Sequence, residues 1–208
     1  MTTRKKVSRT LQVMAMATLS LIAVATCYAQ QAASTQADKP KKLQKYVNQD
    51  RRVSFSYPEG WRAMTADEVR RESKGLVDIG KSFVIVAYTH DLDRNFNISA
   101  FKTPPSAEMR NDADRKDFAS YYIEDSRRRI GYKKVSWRIV DVAGTRGVEF
   151  VFDLERMGLP MRMKQLMVDK EGMSYTFTFA APYKFYDESD GECFVPVMRS
   201  LALGKDVH

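Results

Sequence analysis

Strict alternation of side-chain character between residues 147 and 180 is the feature that most constrains this fold. Every second residue from Val148 to Leu154 is apolar, and the same is true from Met173 to Phe179. Successive side chains of a β-strand point to opposite faces, so this period places each apolar set on one buried face. Residues 169–172 (DKEG) have the polar, Gly-terminated composition of a tight turn. These patterns predict three consecutive antiparallel strands.

Further strands and helices are predicted along the rest of the chain. Strand patterns occur at residues 43–47, 53–57, 82–88, 96–101 and 135–142. Thr65 and Glu68 fit a capping box that begins a short helix ending near Gly75. Helical periodicity runs through residues 111–130 and 192–201, where Pro196 either kinks the second helix or lies in its first turn.

The run at residues 82–88 (VIVA at its centre) is apolar on both parities, which is typical of a strand covered on both faces. The sequence therefore predicts an α+β fold with a central antiparallel β-sheet and helices packed on both faces.

The first 29 residues have the layout of a secretory signal peptide. Arg4, Lys5, Lys6 and Arg9 precede an apolar run, and small residues follow near Ala29. Residues 30–42 are small, polar and without periodicity, as in a flexible leader, and residues 43–204 are predicted to form a single domain. Export to the bacterial periplasm or cell envelope is expected, with no membrane span after cleavage. Retention as an uncleaved anchor and lipidation at Cys27 are the alternatives.

Removal of a signal peptide changes the charge and the cysteine content. The formal net charge falls from +8 to +4, because four basic residues and no acidic ones are lost. The remaining charges are interspersed in sign, so no nucleic-acid partner is expected. Cys193 is then the only cysteine, and no internal disulfide can form. Its apolar helical setting predicts a small buried hydrophobe, with pairing to another chain or a reactive thiol as the alternative.

No motif in the sequence predicts a catalytic or cofactor site. The only histidines are His90 and His208, and the G-x-S-x-G, Walker and G-x-G-x-x-G patterns do not occur. A calcium-binding loop beginning at Asp91 would need Gly and Glu where the chain has Phe96 and Lys102. We therefore expect a non-enzymatic protein without a cofactor or a bound metal.

Methionines are concentrated around the central hairpin. Met161, Met163 and Met167 share one strand parity. Thioether side chains adapt to partner surfaces and also bind soft metals such as copper, so these three residues are a tentative partner-binding set. The competing interpretation, favoured by the way methionine fills irregular gaps, is that they belong to the core.

Two segments carry a resemblance to a known superfamily. The strand at 53–57 running into YPEGW at residues 57–61, and YTFTFAAP at residues 175–182 followed by Phe185 and a terminal helix at 194–201, resemble the opening and closing of the PsbP/DcrB-like superfamily. The resemblance spans residues 42–203 and departs from the pattern at Pro196. It implies an antiparallel sheet with helices on both faces, and accessory or binding roles without a shared catalytic centre.

Three hypotheses about function follow. The first is an exported, non-enzymatic accessory domain that docks a protein or envelope partner. The second is a carrier or sensor of a small ligand or metal, with a pocket between the sheet and a helix. The third is a hydrolase without a recognisable motif.

Overall fold

The computed structural model describes residues 42–72, 83–88, 94–130, 132–156, 158–205 and 207. The predicted signal peptide, most of the predicted leader, the possible end of the first helix near Gly75, and both histidines lie outside these residues. The described part contains the following elements: β1 (Leu43–Asn48), β2 (Val53–Pro58), β3 (Arg62–Thr65), α1 (Ala66–Glu72), β4 (Phe83–Tyr88), β5 (Asn95–Lys102), α2 (Asp112–Ile130), β6 (Lys134–Val142), β7 (Thr145–Arg156), β8 (Leu159–Lys170), β9 (Met173–Pro182), α3 (Tyr186–Ser189), α4 (Val195–Ser200) and β10 (Ala202–Leu203).

A seven-stranded antiparallel sheet organises the domain, in the order β3-β4-β5-β9-β8-β7-β6. The predicted meander is confirmed, because β7, β8 and β9 are consecutive neighbours. The β6–β7 turn at Ala143 and Gly144 has φ values of +48° and +72°, and the β8–β9 turn at Glu171 and Gly172 has +50° and +74°. Two successive positive φ angles define the type I′ turn, whose twist matches that of the adjoining strands.

The sheet has two faces with different contents. We call the first the helix face, because α2 packs on it over β6 and β7. Tyr122 of α2 lies 4.8 Å from Phe150 between ring centroids, and Phe118 stacks on Tyr122 at 5.7 Å. The apolar set of β7 that the sequence placed on a buried face lies here, and Val148, Phe150 and Phe152 are fully buried.

The opposite face, which we call the groove face, is covered only in part. Over β5 and β9 it packs against the C-terminal helical segment and a second sheet of order β1-β2-β10. Phe55 of β2 lies 5.6 Å from Phe96, and Phe194 lies 6.1 Å from Phe179, between ring centroids. The α+β class with helices on both faces is confirmed, and the separate three-stranded sheet is an addition that the sequence did not predict.

A local sequence signal explains where helix α1 begins. The capping box is present, since the Thr65 amide donates to Glu68 Oε2 at 2.6 Å and the Glu68 amide donates to Thr65 Oγ1 at 3.4 Å.

The C-terminal helix differs from its prediction. Helical turns begin at Tyr183, and a π-helical turn spans Asp190–Phe194 before α4. The helical turns continue without a break to Ser200, so Pro196 lies inside the helical segment, directly after the π-helical turn.

The methionine set lies mainly in the core. Met163 and Met167 are 2% and 1% exposed and pack with Phe150 and Phe152 beneath α2, and Met161 is partly buried against the same cluster. A folded domain thus cannot present Met163 or Met167 as a binding surface. The interpretation of these residues as core filling is the one that the structure supports, because their parity is that of the helix face.

Gly147 allows β7 and β8 to approach closely. A Cβ added at Gly147 would lie 2.7 Å from the Met167 carbonyl oxygen, whereas one added at Gly191 would meet nothing within 4 Å. We predict that Gly147→Ala lowers the free energy of unfolding by about 1–3 kcal/mol, because backbone must move to accept the methyl group. Gly191→Ala is the matched control and should be neutral or slightly stabilising. Urea denaturation measures both, and equal effects of the two variants would contradict this packing.

Cys193 is fully buried, as the sequence predicted for a small hydrophobe. Burial raises the pKa of its thiol well above the ordinary value, and the Asp190 and Glu192 charges act in the same direction. In a chain carrying Cys27→Ser, we predict that Cys193 resists thiol reagents at pH 8.5 until urea unfolds the domain.

The same shift makes stability depend on pH. Above the ordinary thiol pKa of about 8.5 the unfolded chain ionises while the folded chain stays protonated, so stability falls by up to about 1.4 kcal/mol per pH unit. Cys193→Ala should remove this component of the slope. Rapid labelling of Cys193 in the native protein would contradict the burial of its thiol. The same dependence of stability on pH in the parent and Cys193→Ala chains would contradict it too.

Candidate functional site

An open groove of about 390 Å³ lies on the groove face, over the part of β6, β7 and β8 that the C-terminal segment leaves uncovered. Its lining combines strand residues with one tyrosine from α3: Ser136, Trp137, Arg138, Glu149, Val151, Arg162, Lys164 and Tyr186. Alternation explains why polar residues gather here. The strand positions whose neighbours in sequence fill the helix-face core point to this side, whereas Trp137, directly opposite Phe150, directs its side chain to the helix face.

Arg138 and Glu149 form the outer ion pair of the groove. They are directly opposite each other in the β6–β7 register, and Arg138 Nε donates to Glu149 Oε1 at 2.7 Å. This hydrogen bond and the carboxylate charge raise the pKa of the guanidinium above its usual value. The Arg138 side chain is 69% exposed, so much of its guanidinium stays accessible.

Arg162 is held more rigidly on β8. Its Nε and Nη2 donate to the two carboxylate oxygens of Asp153 at 2.7 and 3.1 Å, and Nη2 also donates to the Tyr183 hydroxyl at 2.8 Å. The guanidinium lies 4.3 Å from the centroid of the Tyr183 ring. The Asp153 hydrogen bonds raise the pKa of Arg162. The fork geometry, together with the stacked ring, fixes a cation at the mouth of the groove.

Lys164 joins the sheet to the C-terminal segment. Its Nζ donates to both carboxylate oxygens of Asp190 at 2.7 Å, and it lies 4.9 Å from the centre of the Phe194 ring. Both partners are largely shielded from solvent. This pair therefore anchors the π-helical turn against the inner end of the groove.

Tyr186 brings an unsatisfied hydroxyl to the groove wall. Its side chain is 5% exposed, and its hydroxyl has no hydrogen-bond partner within the part of the chain that the structure describes. Burial raises the pKa of Tyr186, and the negative charges of Asp190 and Glu149 raise it further. The group therefore stays protonated and can donate a hydrogen bond to an incoming acceptor.

The groove runs along an open sheet edge. Within the described ranges, β6 pairs with β7 and lies last in the strand order. A two-residue hairpin is closed by a hydrogen-bonded pair, here Val142 and Thr145. Backbone groups point alternately toward and away from the neighbouring strand. Counting from Val142, the N–H and C=O groups that point away from β7 belong to Val135, Trp137, Ile139 and Asp141. The edge is nine residues long, keeps an unbroken register, and carries Trp137 at 37% exposure.

Comparison with solved structures identifies the architecture. Cyanobacterial PsbP (CyanoP) from Synechocystis superposes with a TM-score of 0.56 at 14% identity, covering 83% of this chain and 98% of that one. The chain has the PsbP-like fold. A Bacteroides thetaiotaomicron protein gives a TM-score of 0.50 at 16% identity over 78% of this chain and 48% of its own. LpqN of Mycobacterium tuberculosis gives 0.45 at 10% identity, over 83% and 90%.

No protein-family model matches the sequence, and the search of curated proteins finds no match either. The structural likeness therefore establishes the fold of this PsbP-like domain.

The sequence-predicted site and the groove lie on opposite faces of the PsbP-like domain. Met161, Met163 and Met167 share the helix-face parity, so none of them lines the groove. Arg138, Glu149, Arg162 and Lys164 were not singled out from the sequence. Their signal was present as charged residues inside predicted strands, at the parity opposite the core.

The described ranges contain no group of three or more His, Cys, Asp or Glu side chains arranged to hold a metal ion. Among them there is also no helix with the length and apolar character that a bilayer crossing requires.

The Lys164–Asp190 pair gives a test of the groove's inner wall. We predict that Asp190→Asn lowers the free energy of unfolding by about 1–3 kcal/mol, because a shielded ammonium loses its charge partner. Lys164→Met combined with Asp190→Asn should cost less than the sum of the single changes, which a double-mutant cycle by urea denaturation measures. Strict additivity would show that the two groups do not interact.

Proposed function

We propose that this PsbP-like domain is a non-enzymatic accessory domain, exported to the bacterial periplasm or cell envelope, that docks a protein partner. The docking site is the groove together with the open edge of β6. The observation that carries the proposal is an accessible strand edge that adjoins a groove whose rim bears Arg138 and Arg162.

The composition of this site supports a protein partner. Tryptophan, tyrosine and arginine dominate the energetics of protein interfaces. Trp137 and Tyr183, which are 37% and 51% exposed, stand at the edge strand and beside Arg162 respectively. Long, regular edge strands are usually shortened, bulged or covered, because they invite pairing with another chain. An edge kept open beside such residues favours docking by strand addition.

The charge of the groove indicates the chemistry of the partner segment. Its lining has three basic residues, Arg138, Arg162 and Lys164, and one acidic residue, Glu149. Each of the three is paired with a carboxylate, Glu149, Asp153 or Asp190. Arg138 has the most exposed side chain of the three, so we expect the partner segment to carry an acidic side chain that binds beside it. The backbone of this segment would pair with the outward groups of β6.

The experiment compares variants as baits in the native host. The affinity-tagged chain and its Trp137→Ala, Ile139→Pro and Ile139→Ala variants are isolated from the envelope fraction, and proteins lost with the first two variants are quantified by mass spectrometry. Proline at 139 removes an outward N–H while leaving the β6–β7 ladder intact. Ile139→Ala is the matched control, because it shortens the same side chain and keeps the N–H.

The captured candidate is then purified and its affinity for each chain is measured by titration calorimetry. We expect Trp137→Ala and Ile139→Pro to weaken binding at least 10-fold, or about 1.4 kcal/mol, and Ile139→Ala to bind like the parent. Binding should also weaken with rising salt. Candidates that bind all four chains equally would refute docking at this site.

A further inference from the structure

The second sheet, of order β1-β2-β10, has an exposed edge of its own at β1. Within the described ranges, β1 pairs only with β2 and lies at one end of that order. The Glu59 amide donates to the Lys42 carbonyl at 2.7 Å, one rung before β1 begins. Because backbone groups alternate along a strand, the N–H and C=O groups of Leu43, Lys45 and Val47 point away from β2.

The side chains of these three residues share one face of β1 and are exposed. Leu43 and Val47 are 46% and 38% exposed, and they are two of the five large hydrophobic side chains that are exposed in the described part of the chain. The other face of β1 is packed, since the Tyr46 ring lies 5.1 Å from Phe55 between centroids and the Tyr46 hydroxyl accepts from Asn48 Nδ2 at 3.2 Å. The strand is thus held in place while it presents a lysine between two apolar side chains.

The net positive charge of the chain is concentrated around this strand. Residues 38–59 contain three acidic residues and six basic ones, namely Lys39, Lys41, Lys42, Lys45, Arg51 and Arg52. Of the 30 basic and 26 acidic residues that follow residue 29, the rest of the chain therefore has 24 and 23, and is almost neutral. Arg51 directs its Nη1 to the Ala100 carbonyl at 3.3 Å, whereas Lys42 and Lys45 are exposed. The lysines of residues 39–45 are the accessible part of this charge.

Alternating lysines and apolar side chains match the surface of an anionic lipid bilayer. Lysine places its ammonium group at the lipid phosphates while its aliphatic stem stays with apolar groups. Leu43 and Val47 can bury their exposed area in the interfacial layer. The unpaired backbone groups of β1 would remain among the hydrated headgroups, because they cannot enter the hydrocarbon core without partners.

A second strand matches this edge less well. Lysine on an edge strand opposes pairing with another chain, and Lys45 lies near the middle of β1. If two copies paired with Leu43 opposite Val47, their Lys45 side chains would face each other as like charges. A bilayer accepts the lysines and the apolar side chains together.

We propose that the β1 edge is a peripheral docking surface for an anionic lipid bilayer. The lysines of residues 39–45 bind the headgroup phosphates, and Leu43 and Val47 enter the interfacial layer. This surface does not use residues 1–29, and it belongs to a different sheet from the groove and from β6. Membrane binding is therefore independent of the proposed protein partner.

The test measures binding to lipid vesicles in the absence of other proteins. The chain is isolated in the form that its native host produces, its first residue is established from its intact mass, and detergent is removed. Sedimentation then compares vesicles of phosphatidylcholine with vesicles in which one third of the lipid is phosphatidylglycerol. The variants are Lys45→Glu and Leu43→Ser. Lys116→Glu on α2 and Leu159→Ser at the start of β8 are the matched controls, because they make the same changes at exposed positions elsewhere.

We expect the parent to bind vesicles with phosphatidylglycerol about 10-fold more tightly than phosphatidylcholine alone, and to bind less tightly as salt rises. Lys45→Glu should weaken that binding about 10-fold, because an attractive charge becomes repulsive. Leu43→Ser should weaken it about 3-fold through lost apolar area. Both controls, and Trp137→Ala in β6, should bind like the parent.

Two results would overturn the proposal. The first is equal binding of the parent to both kinds of vesicle, or binding to neither. The second is binding of Lys45→Glu and Leu43→Ser that matches their controls, with urea denaturation showing that every variant is folded. Neither result would affect docking of a protein at β6, which is measured without lipid.

Discussion

Burial of β9 on both of its faces is the constraint on which the rest of the structure depends. All ten residues from Met173 to Pro182 are buried, and the strand is hydrogen-bonded to β5 on one side and β8 on the other. Each face must then be covered by a different layer. The aromatic side chains of β9 pack beneath the small sheet and the C-terminal segment, whereas its hydroxyl side chains face the helix side.

The same alternation separates the groove from the core beneath α2. On β6, β7 and β8, most helix-face positions are apolar and form the core beneath α2, and the charged residues of the groove occupy the intervening positions. The C-terminal segment covers the groove face as far as β8, where Tyr183 stacks on Arg162 and Asp190 pairs with Lys164. Beyond β8, an open groove continues past Arg138 to the outward backbone of β6. The groove is thus the part of this face that the C-terminal segment leaves uncovered.

Much of the fold was predictable because it is encoded in local periodicity. The meander from β7 to β9, helix α2 and the Thr65 capping box all follow from residues close together in sequence. The three-stranded sheet was not predictable, since β2 lies between β1 and the two-residue strand β10, which arrives about 145 residues later and has no pattern of its own.

The candidate site was predictable only in part. Parity placed Glu149, Asp153, Arg162 and Lys164 opposite the core, but which of those positions stays uncovered depends on where the C-terminal segment lies. The methionines attracted attention through their composition, and the sheet registers show that their parity belongs to the buried side. Their residue type suggested a binding surface, but their position in the sheet buries Met163 and Met167 in the core.

Residue-resolved hydrogen exchange on the free protein tests the central claim, that β6 is an open edge available to a partner, most directly. The account predicts fast exchange for the outward amides of Trp137 and Ile139, and much slower exchange for the ladder amides of Ser136 and Arg138 and for Phe177 in β9. If Trp137 and Ile139 exchanged as slowly as Arg138 in the free protein, the edge would already be occupied and the docking account would be contradicted.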